Sequence, residues 1–138
     1  MKAYSLDFET YYDRQFSLKK LTTEEYIRSP QFEVIGVGIT EEGGEPQWFS
    51  GTRKATYEWL LQFNLPESMV IAHNAVFDMA ILNWHFGIKA KGYLDTLCMA
   101  RAIHGVEAGG SLKALAERYQ IGEKGTEVLD ALGKRRVD

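Results

Sequence analysis

A run of β-branched residues from Phe32 to Thr40, FEVIGVGIT, constrains the fold most strongly. Such a run is typical of a long strand in a sheet. Gly43 and Gly44 follow within a turn over Glu41–Glu45, and Pro46–Phe49 is short enough to be the returning strand. The pattern therefore predicts an antiparallel hairpin early in the chain.

The rest of the chain alternates between strand and helix patterns. Lys2–Asp7 has the alternation of a buried strand, and Thr22 with Glu25 has the spacing of a capping box that begins a helix running to about Arg28. Two further strands and four further helices are predicted: Met69–Ala72, Tyr93–Asp95, Arg53–Phe63, Asn74–Phe86, Thr96–Ile103 and Leu112–Tyr119. This order predicts an α/β layer fold with a mixed sheet.

Composition limits the class of protein. The chain has 138 residues, enough for one domain with a single core, and its net charge of −3 disfavours a protein that coats nucleic acid. No apolar run approaches the roughly 18–20 residues of a membrane span. Cys98 is the only cysteine, which excludes a disulfide framework within the chain. We therefore expect a cytoplasmic protein without membrane contacts.

Two carboxylates, Asp7 and Glu9, stand two residues apart where the first strand ends. Residues at this spacing project from one face of a strand. Carboxylates that point the same way repel each other unless a cation lies between them. Spacing alone leaves open that both are solvated charges.

Asp78 is a third candidate, near the start of the helix that follows strand Met69–Ala72. If that strand lies beside the first one, Asp78 faces Asp7 and Glu9 across the end of the sheet, where α/β sites form. Alternatively, an acid in a first helical turn only complements the helix dipole. Three converging carboxylates suit Mg²⁺ or Mn²⁺.

Two motifs carry a resemblance to a known superfamily. Leu6–Thr10, LDFET, resembles the Asp-x-Glu motif of the DEDD 3′-5′ exonucleases, and Ala72–Asp78, AHNAVFD, resembles their Asn-x-x-Phe-Asp motif. The wider sequence is similar to the proofreading domain of phage-type family A DNA polymerases. The resemblance implies a ribonuclease-H-like fold with about five strands in the order 3-2-1-4-5, the second strand antiparallel.

The resemblance also implies roles for individual residues. Asp7, Glu9 and Asp78 would be the catalytic residues and the ligands of two Mg²⁺ or Mn²⁺ ions. Asp7 would bridge both ions, Glu9 would ligate the ion that holds the attacking water, and Asp78 would ligate the ion at the leaving 3′ oxygen. The terminal nucleotide would be held by Thr10, Asn74 and Phe8.

The third motif of the superfamily, Tyr- or His-x-x-x-Asp, is not found. The residues four positions before Asp95, Asp130 and Asp138 are Lys91, Thr126 and Lys134, none of which is Tyr or His. Tyr119 has the required spacing, but the residue four positions after it is Glu123 and not an aspartate. The resemblance places this motif after Asp138. We therefore expect a single exonuclease domain over residues 1–138 whose C-terminal part is missing, and little or no activity from the chain alone.

The main functional hypothesis is a proofreading exonuclease fused to a downstream polymerase domain. It would bind the 3′ end of single-stranded DNA, hydrolyse phosphodiester bonds and release deoxynucleoside 5′-monophosphates. One alternative is a free-standing exoribonuclease or oligoribonuclease of the same fold. The other is a non-catalytic module that keeps the fold.

A few other residues have expected structural roles or two alternative roles. Asp95 with Thr96 is expected to cap the following helix, and Cys98 is expected in the core. Tyr11, Tyr12 and Phe16 either stack on unpaired bases or cover the core of their own loop.

Overall fold

A computed structural model of the chain describes residues 1–107, 109–120 and 132–137. Its centre is a five-stranded sheet in the order β3-β2-β1-β4-β5. The strands are β1 (Ala3–Thr10), β2 (Val34–Glu41), β3 (Gln47–Phe49), β4 (Met69–Ala72) and β5 (Gly92–Asp95). β2 is antiparallel to β1 and β3, whereas β4 is parallel to β1 and β5. The predicted strand order and the antiparallel second strand are confirmed.

The helices are α1 (Thr23–Arg28), α2 (Arg53–Leu61), α3 (Ala75–Ala80), α4 (Thr96–His104) and α5 (Leu112–Tyr119). A short 3₁₀ turn, Leu65–Glu67, precedes β4, and a π-helical turn, Ile81–His85, continues α3. No helix among these residues combines the length and the apolar character that a membrane span requires.

Local capping explains where several helices begin. Thr22 Oγ1 accepts the backbone N–H of Glu25 at 3.2 Å, and the Glu25 carboxylate accepts the N–H of Thr22 at 3.0 Å. Ser111 Oγ accepts the N–H of Ala114 in the same way, at 3.1 Å. Both helix starts were predicted from the sequence, because a cap and its partner are only three residues apart.

Strand β1 runs three residues further than the sequence predicted, to Thr10. It alternates between buried Leu6 and Phe8 and the less buried Asp7 and Glu9. A core of mostly apolar side chains from β1, β2, α1 and α3 lies on the face of Leu6 and Phe8. The two carboxylate residues are therefore part of the strand and stand on its opposite face.

The helix predicted over Asn74–Phe86 changes character at Ile81. The backbone N–H of Phe86 donates to the carbonyl of Ile81 five residues earlier, at 3.2 Å, which widens the last turn. The Phe86 ring stacks on Phe8 with 5.7 Å between ring centroids. The widened turn thus ends in a residue packed against the centre of β1.

Candidate active site

Asp78 is joined to the first strand by a hydrogen bond. Its Oδ1 accepts the backbone N–H of Phe8 at 3.1 Å, and the residue is 3% exposed. β4 pairs with β1 only from Ala3 to Ser5, so the N–H of Phe8 lies beyond the paired segment. Asp78 satisfies this donor where β4 no longer can. Its carboxylate therefore reaches the residue that separates Asp7 from Glu9.

The electrostatics of Asp78 reflect this position. Burial, together with the charges of Asp7 and Glu9, raises its pKa to about 7, while the hydrogen bond from Phe8 opposes the rise. A buried carboxylate beside two like charges is costly to ionise unless a cation is present. The three predicted carboxylates thus act on one another in the folded chain.

The donor set fits a hard divalent cation in its chemistry. Asp7, Glu9 and Asp78 offer only carboxylate oxygens, which Mg²⁺ and Mn²⁺ prefer. In the part of the chain that the structure describes, however, no three His, Cys, Asp or Glu side chains are arranged so that they could hold an ion. An ion held by all three carboxylates therefore requires side-chain orientations different from those of this structure.

Asp95 links the two helices that follow β4 and β5. Its Oδ1 accepts the N–H groups of Leu97 at 2.9 Å and Cys98 at 3.4 Å, which confirms the predicted cap on α4. The same carboxylate accepts the N–H of Asn74 at 2.9 Å and that of Ala75 at 3.0 Å. Burial raises the pKa of Asp95, but these hydrogen bonds outweigh it and lower the pKa overall.

This second contact places Asp95 at the N-terminus of α3, the helix that carries Asp78. The side chain of Asn74, at the N-cap position, makes no capping bond. Sequence reasoning missed the contact, because Asp95 is 21 residues from Asn74 and nothing local indicates the pairing.

The three predicted substrate residues have different surroundings. Asn74 is exposed and has a left-handed backbone with φ 62°. Thr10 Oγ1 lies 2.9 Å from the hydroxyl of Tyr26. Phe8 is 4% exposed and its ring belongs to the core, and it also lines the cavity beside Glu9 and Thr10.

A cavity of about 620 Å³ adjoins Glu9 and Thr10. It lies among β1, α1, α3 and the β1–α1 loop, residues 11–22. Its lining combines apolar, acidic and basic side chains: Phe8, Glu9, Thr10, Tyr12, Asp13, Arg14, Ser17, Leu18, Lys19, Lys20, Tyr26, Phe77 and Leu132. The volume is within the roughly 300–1,000 Å³ of small-molecule sites.

The aromatic residues of this loop help to form its core. Phe16 is buried and stacks on Tyr26, with 4.7 Å between ring centroids, and on Tyr11 at 6.2 Å. The guanidinium of Arg135 lies 4.0 Å from the centre of the Tyr11 ring. Of the two roles weighed for these residues, the packing role describes Phe16 and Tyr11, and Tyr12 lines the cavity.

One further prediction concerns a single residue, Cys98. Cys98 was expected in the core but is exposed. Helix α4 buries only Ala100, and Cys98 lies on a part of the helix that faces away from the core. His73 lies beside the site: its Nδ1 is 2.9 Å from Thr96 Oγ1, whereas its buried Nε2 has no hydrogen-bond partner within the described residues.

Of the pair Tyr119 and Glu123, only Tyr119 is among the described residues. The hydroxyl of Tyr119 is hydrogen-bonded to Nε2 of His104. Glu123, Thr126, Asp130 and Asp138 lie outside the described residues.

Comparison with known proteins supports the sequence resemblance at the level of a family. The sequence model of a family described as 3′-5′ exonuclease matches residues 61–132, just over half of the chain. No curated protein gives a significant match. Chains of solved structures do match, among them Brucella melitensis NrnC bound to pGG, with a TM-score of 0.62 and 17% identity. The alignment covers 89% of this chain and 54% of NrnC.

At this identity the likeness to NrnC shows a shared fold. The chain spans about half of the length of NrnC. The matched family segment contains Asn74 and Asp78, and the alignment over most of the chain agrees with the ribonuclease-H-like sheet order described above.

Proposed function

The chain belongs to the 3′-5′ exonuclease family, and we propose that it is a metal-dependent hydrolase acting on the 3′ ends of single-stranded nucleic acid. The observation that carries this proposal is the hydrogen bond from the Phe8 backbone to Asp78, which brings the second motif to the first. The bond puts the Asp78 carboxylate against the residue between Asp7 and Glu9, and the charges of those two residues contribute to its raised pKa. Both observations support a shared role for the three carboxylates.

Asp7, Glu9 and Asp78 are the proposed ligands of two Mg²⁺ or Mn²⁺ ions. When bound, such ions activate a water molecule and neutralise charge on the phosphate. A proton competes with the cation for the Asp78 carboxylate, because its pKa of about 7 keeps Asp78 partly protonated near neutral pH. Affinity for a cation is therefore expected to rise as the pH passes about 7 and Asp78 becomes fully ionised.

The cavity next to Glu9 is the proposed receptacle for the strand end. Thr10 lines it, and Tyr26, to which Thr10 is hydrogen-bonded, forms part of the same wall. Asn74 stands exposed at the start of α3, four residues before Asp78. The predicted roles of Thr10 and Asn74 in holding a terminal nucleotide therefore remain part of this proposal.

A short oligonucleotide is the substrate class we favour. NrnC, which shares the fold, is described with the nucleic acid pGG bound. A cavity of about 620 Å³ is within the range of sites for small molecules, which suits the end of a short strand better than a duplex. This favours a free-standing exoribonuclease or oligoribonuclease. Proofreading of a DNA 3′ end beside a polymerase is the second candidate. It is motivated by the resemblance of the wider sequence, including residues 22–36, to the proofreading domain of family A DNA polymerases.

The test is cleavage of 5′-labelled single strands with the protein in excess over substrate. We expect slow shortening from the 3′ end that requires Mn²⁺ or Mg²⁺ and is lost in Asp7→Asn and Asp78→Asn. Glu45→Gln, which removes an exposed carboxylate elsewhere, is the control and should cleave like the parent.

Parallel RNA and DNA strands, each as a dinucleotide and as a decanucleotide, separate the two candidates. Faster cleavage of short RNA supports the oligoribonuclease, and faster cleavage of long DNA with a mismatched 3′ end supports proofreading. Cleavage that persists in both aspartate variants would contradict the roles proposed for Asp7 and Asp78. No metal-dependent cleavage of any strand, together with Mn²⁺ binding that is no weaker in the two variants than in the parent, would contradict the proposed function and favour a non-catalytic module.

A further inference from the structure

Three basic side chains, Arg14, Lys19 and Lys20, line the same cavity as Glu9 and Thr10. All three belong to the β1–α1 loop and are exposed. The chain as a whole has a net charge of −3, so this group of cations is a local exception to its charge. Positive charge gathered at the mouth of a cavity attracts anionic ligands.

Within the described residues, these cations are not neutralised by ion pairs with neighbouring acids. The ion pairs found there join Lys2 to Glu41, Arg28 to Glu24 and Arg135 to Glu33, and none of them involves the three loop cations. No acid of the described residues therefore offsets their charge through an ion pair.

Asp13, an acid that also lines the cavity, has its hydrogen-bonding capacity used within the loop. Its carboxylate accepts the hydroxyl of Tyr11 at 2.5 Å and the N–H groups of Gln15 at 2.8 Å and Phe16 at 2.6 Å. The hydrogen bond from Tyr11, followed by those from Phe16 and Gln15, lowers the pKa of Asp13. Asp13 thus shapes the loop, and it forms no ion pair with the loop cations in the part of the chain that the structure describes.

Contacts within the loop fix the backbone that carries its cationic residues. Phe16 anchors it in the core, and the backbone N–H groups of Lys20 and Leu21 donate to the carbonyl of Ser17 at 3.1 and 2.9 Å. This helical turn fixes the backbone of Lys19 and Lys20 before any ligand arrives, which lowers the entropic cost of binding.

We infer that the cavity with Arg14, Lys19 and Lys20 is a phosphate subsite for the nucleic-acid strand whose 3′ end is cleaved. The inference rests on the proposed function and adds to it the group that the loop recognises. The apolar walls, which include Leu18, Tyr26 and Phe77, offer a surface for a base or sugar beside that phosphate. The recognised group is a phosphate, either the terminal 5′ phosphate of a short oligonucleotide or an internal phosphate of a longer strand.

Binding is measured apart from cleavage, by fluorescence anisotropy in EDTA. Three probes are used: a dinucleotide with a 5′ phosphate, the same dinucleotide with a 5′ hydroxyl, and a decanucleotide with a 5′ hydroxyl. We expect Lys19→Ala/Lys20→Ala to weaken binding about tenfold at moderate salt. The slope of log K against log salt should become shallower by about 0.7 for each phosphate that the variant no longer neutralises.

Matched variants separate this effect from a general loss of charge. Lys89→Ala/Lys91→Ala removes the same charge from two exposed lysines outside the cavity and should bind like the parent. Lys19→Arg/Lys20→Arg keeps the charge and should retain affinity. All variants should keep the thermal midpoint of the parent, because every substituted lysine is exposed.

The probes identify the source of the phosphate. A loss confined to the 5′-phosphorylated dinucleotide supports recognition of the terminal phosphate, and a loss with the decanucleotide supports an internal one. Equal affinities of the two double-alanine variants for every probe would overturn the inference. If the parent binds no probe but still cleaves, the inference alone fails; if it neither binds nor cleaves, the proposed function fails with it.

Discussion

Asp78 Oδ1 accepts a hydrogen bond from the backbone N–H of Phe8 at 3.1 Å, across 70 residues of sequence. The bond exists because β4 stops pairing with β1 before Phe8 and leaves this donor to the helix that follows. A single contact thereby joins the two motifs and also buries a carboxylate close to Asp7 and Glu9. Testable consequences follow from that contact and from the residues that support it.

The raised pKa of Asp78 predicts how stability depends on pH in the metal-free protein. Asp78 titrates near 3.8 when unfolded and at about 7 when folded. Between these values the folded chain retains a proton that the unfolded chain has released. Its contribution to stability is therefore complete at low pH and is lost as the pH rises through this window.

Asp78→Asn removes this titration and keeps an oxygen that can accept from Phe8. Above pH ~7 we expect the variant to be more stable than the parent by about 2–4 kcal/mol. The measurement is the free energy of unfolding by urea, in EDTA, at pH ~5 and at pH ~8. Glu45→Gln, which changes an exposed carboxylate, is the control and should show the same difference in stability between the two pH values as the parent. If the stability of the parent does not fall relative to that of Asp78→Asn between pH ~5 and pH ~8, Asp78 ionises normally and the account of its pKa is wrong.

Asp95 should be needed for stability and for the position of α3. Asp95→Ala leaves the N–H groups of Asn74, Ala75 and Leu97 without their acceptor. Loss of a helix cap costs about 0.5–2 kcal/mol, and two helices are affected here. We expect a loss of about 1–3 kcal/mol in chemical unfolding, and a smaller loss for Asp95→Asn, which retains one acceptor oxygen. Equal stability of Asp95→Ala and the parent would contradict the bridging role.

Asn74 allows the backbone and the side chain to be tested separately. Its φ of 62° is a conformation that glycine adopts freely and alanine does not, at a cost of about 1–2 kcal/mol. Asn74→Gly should therefore keep the thermal midpoint near that of the parent, whereas Asn74→Ala should lower it.

The same pair tests the predicted substrate role of Asn74. If its side chain holds the terminal nucleotide, Asn74→Gly should bind a dinucleotide more weakly while remaining folded. Unchanged dinucleotide binding by a stable Asn74→Gly would assign Asn74 to backbone geometry alone.

Local sequence patterns predicted the elements of the fold well. The capping box of Thr22 and Glu25, the strand Met69–Ala72 and the hairpin of β2 and β3 are confirmed, because each depends on neighbours within a few residues. The strand order followed from the resemblance to the DEDD exonucleases and is also confirmed.

Long-range contacts were beyond such reasoning. Nothing near Asp95 indicates that its carboxylate also accepts from Asn74, and nothing in the first motif indicates that the Phe8 ring packs on Phe86. The extension of β1 to Thr10 likewise depends on pairing with β2, in which Thr10 lies opposite Val34. Residues whose surroundings are set by distant partners were therefore the ones misjudged.

Calorimetric titration with Mn²⁺ tests most directly the claim that Asp7, Glu9 and Asp78 form one metal site. We expect weak binding by the parent, because only three carboxylates are proposed as ligands, and stronger binding at pH ~8 than at pH ~6 as Asp78 loses its proton. Asp7→Asn and Asp78→Asn should each abolish the binding heat, and Glu45→Gln should leave it unchanged. Identical titrations for the parent and the two aspartate variants would contradict the account.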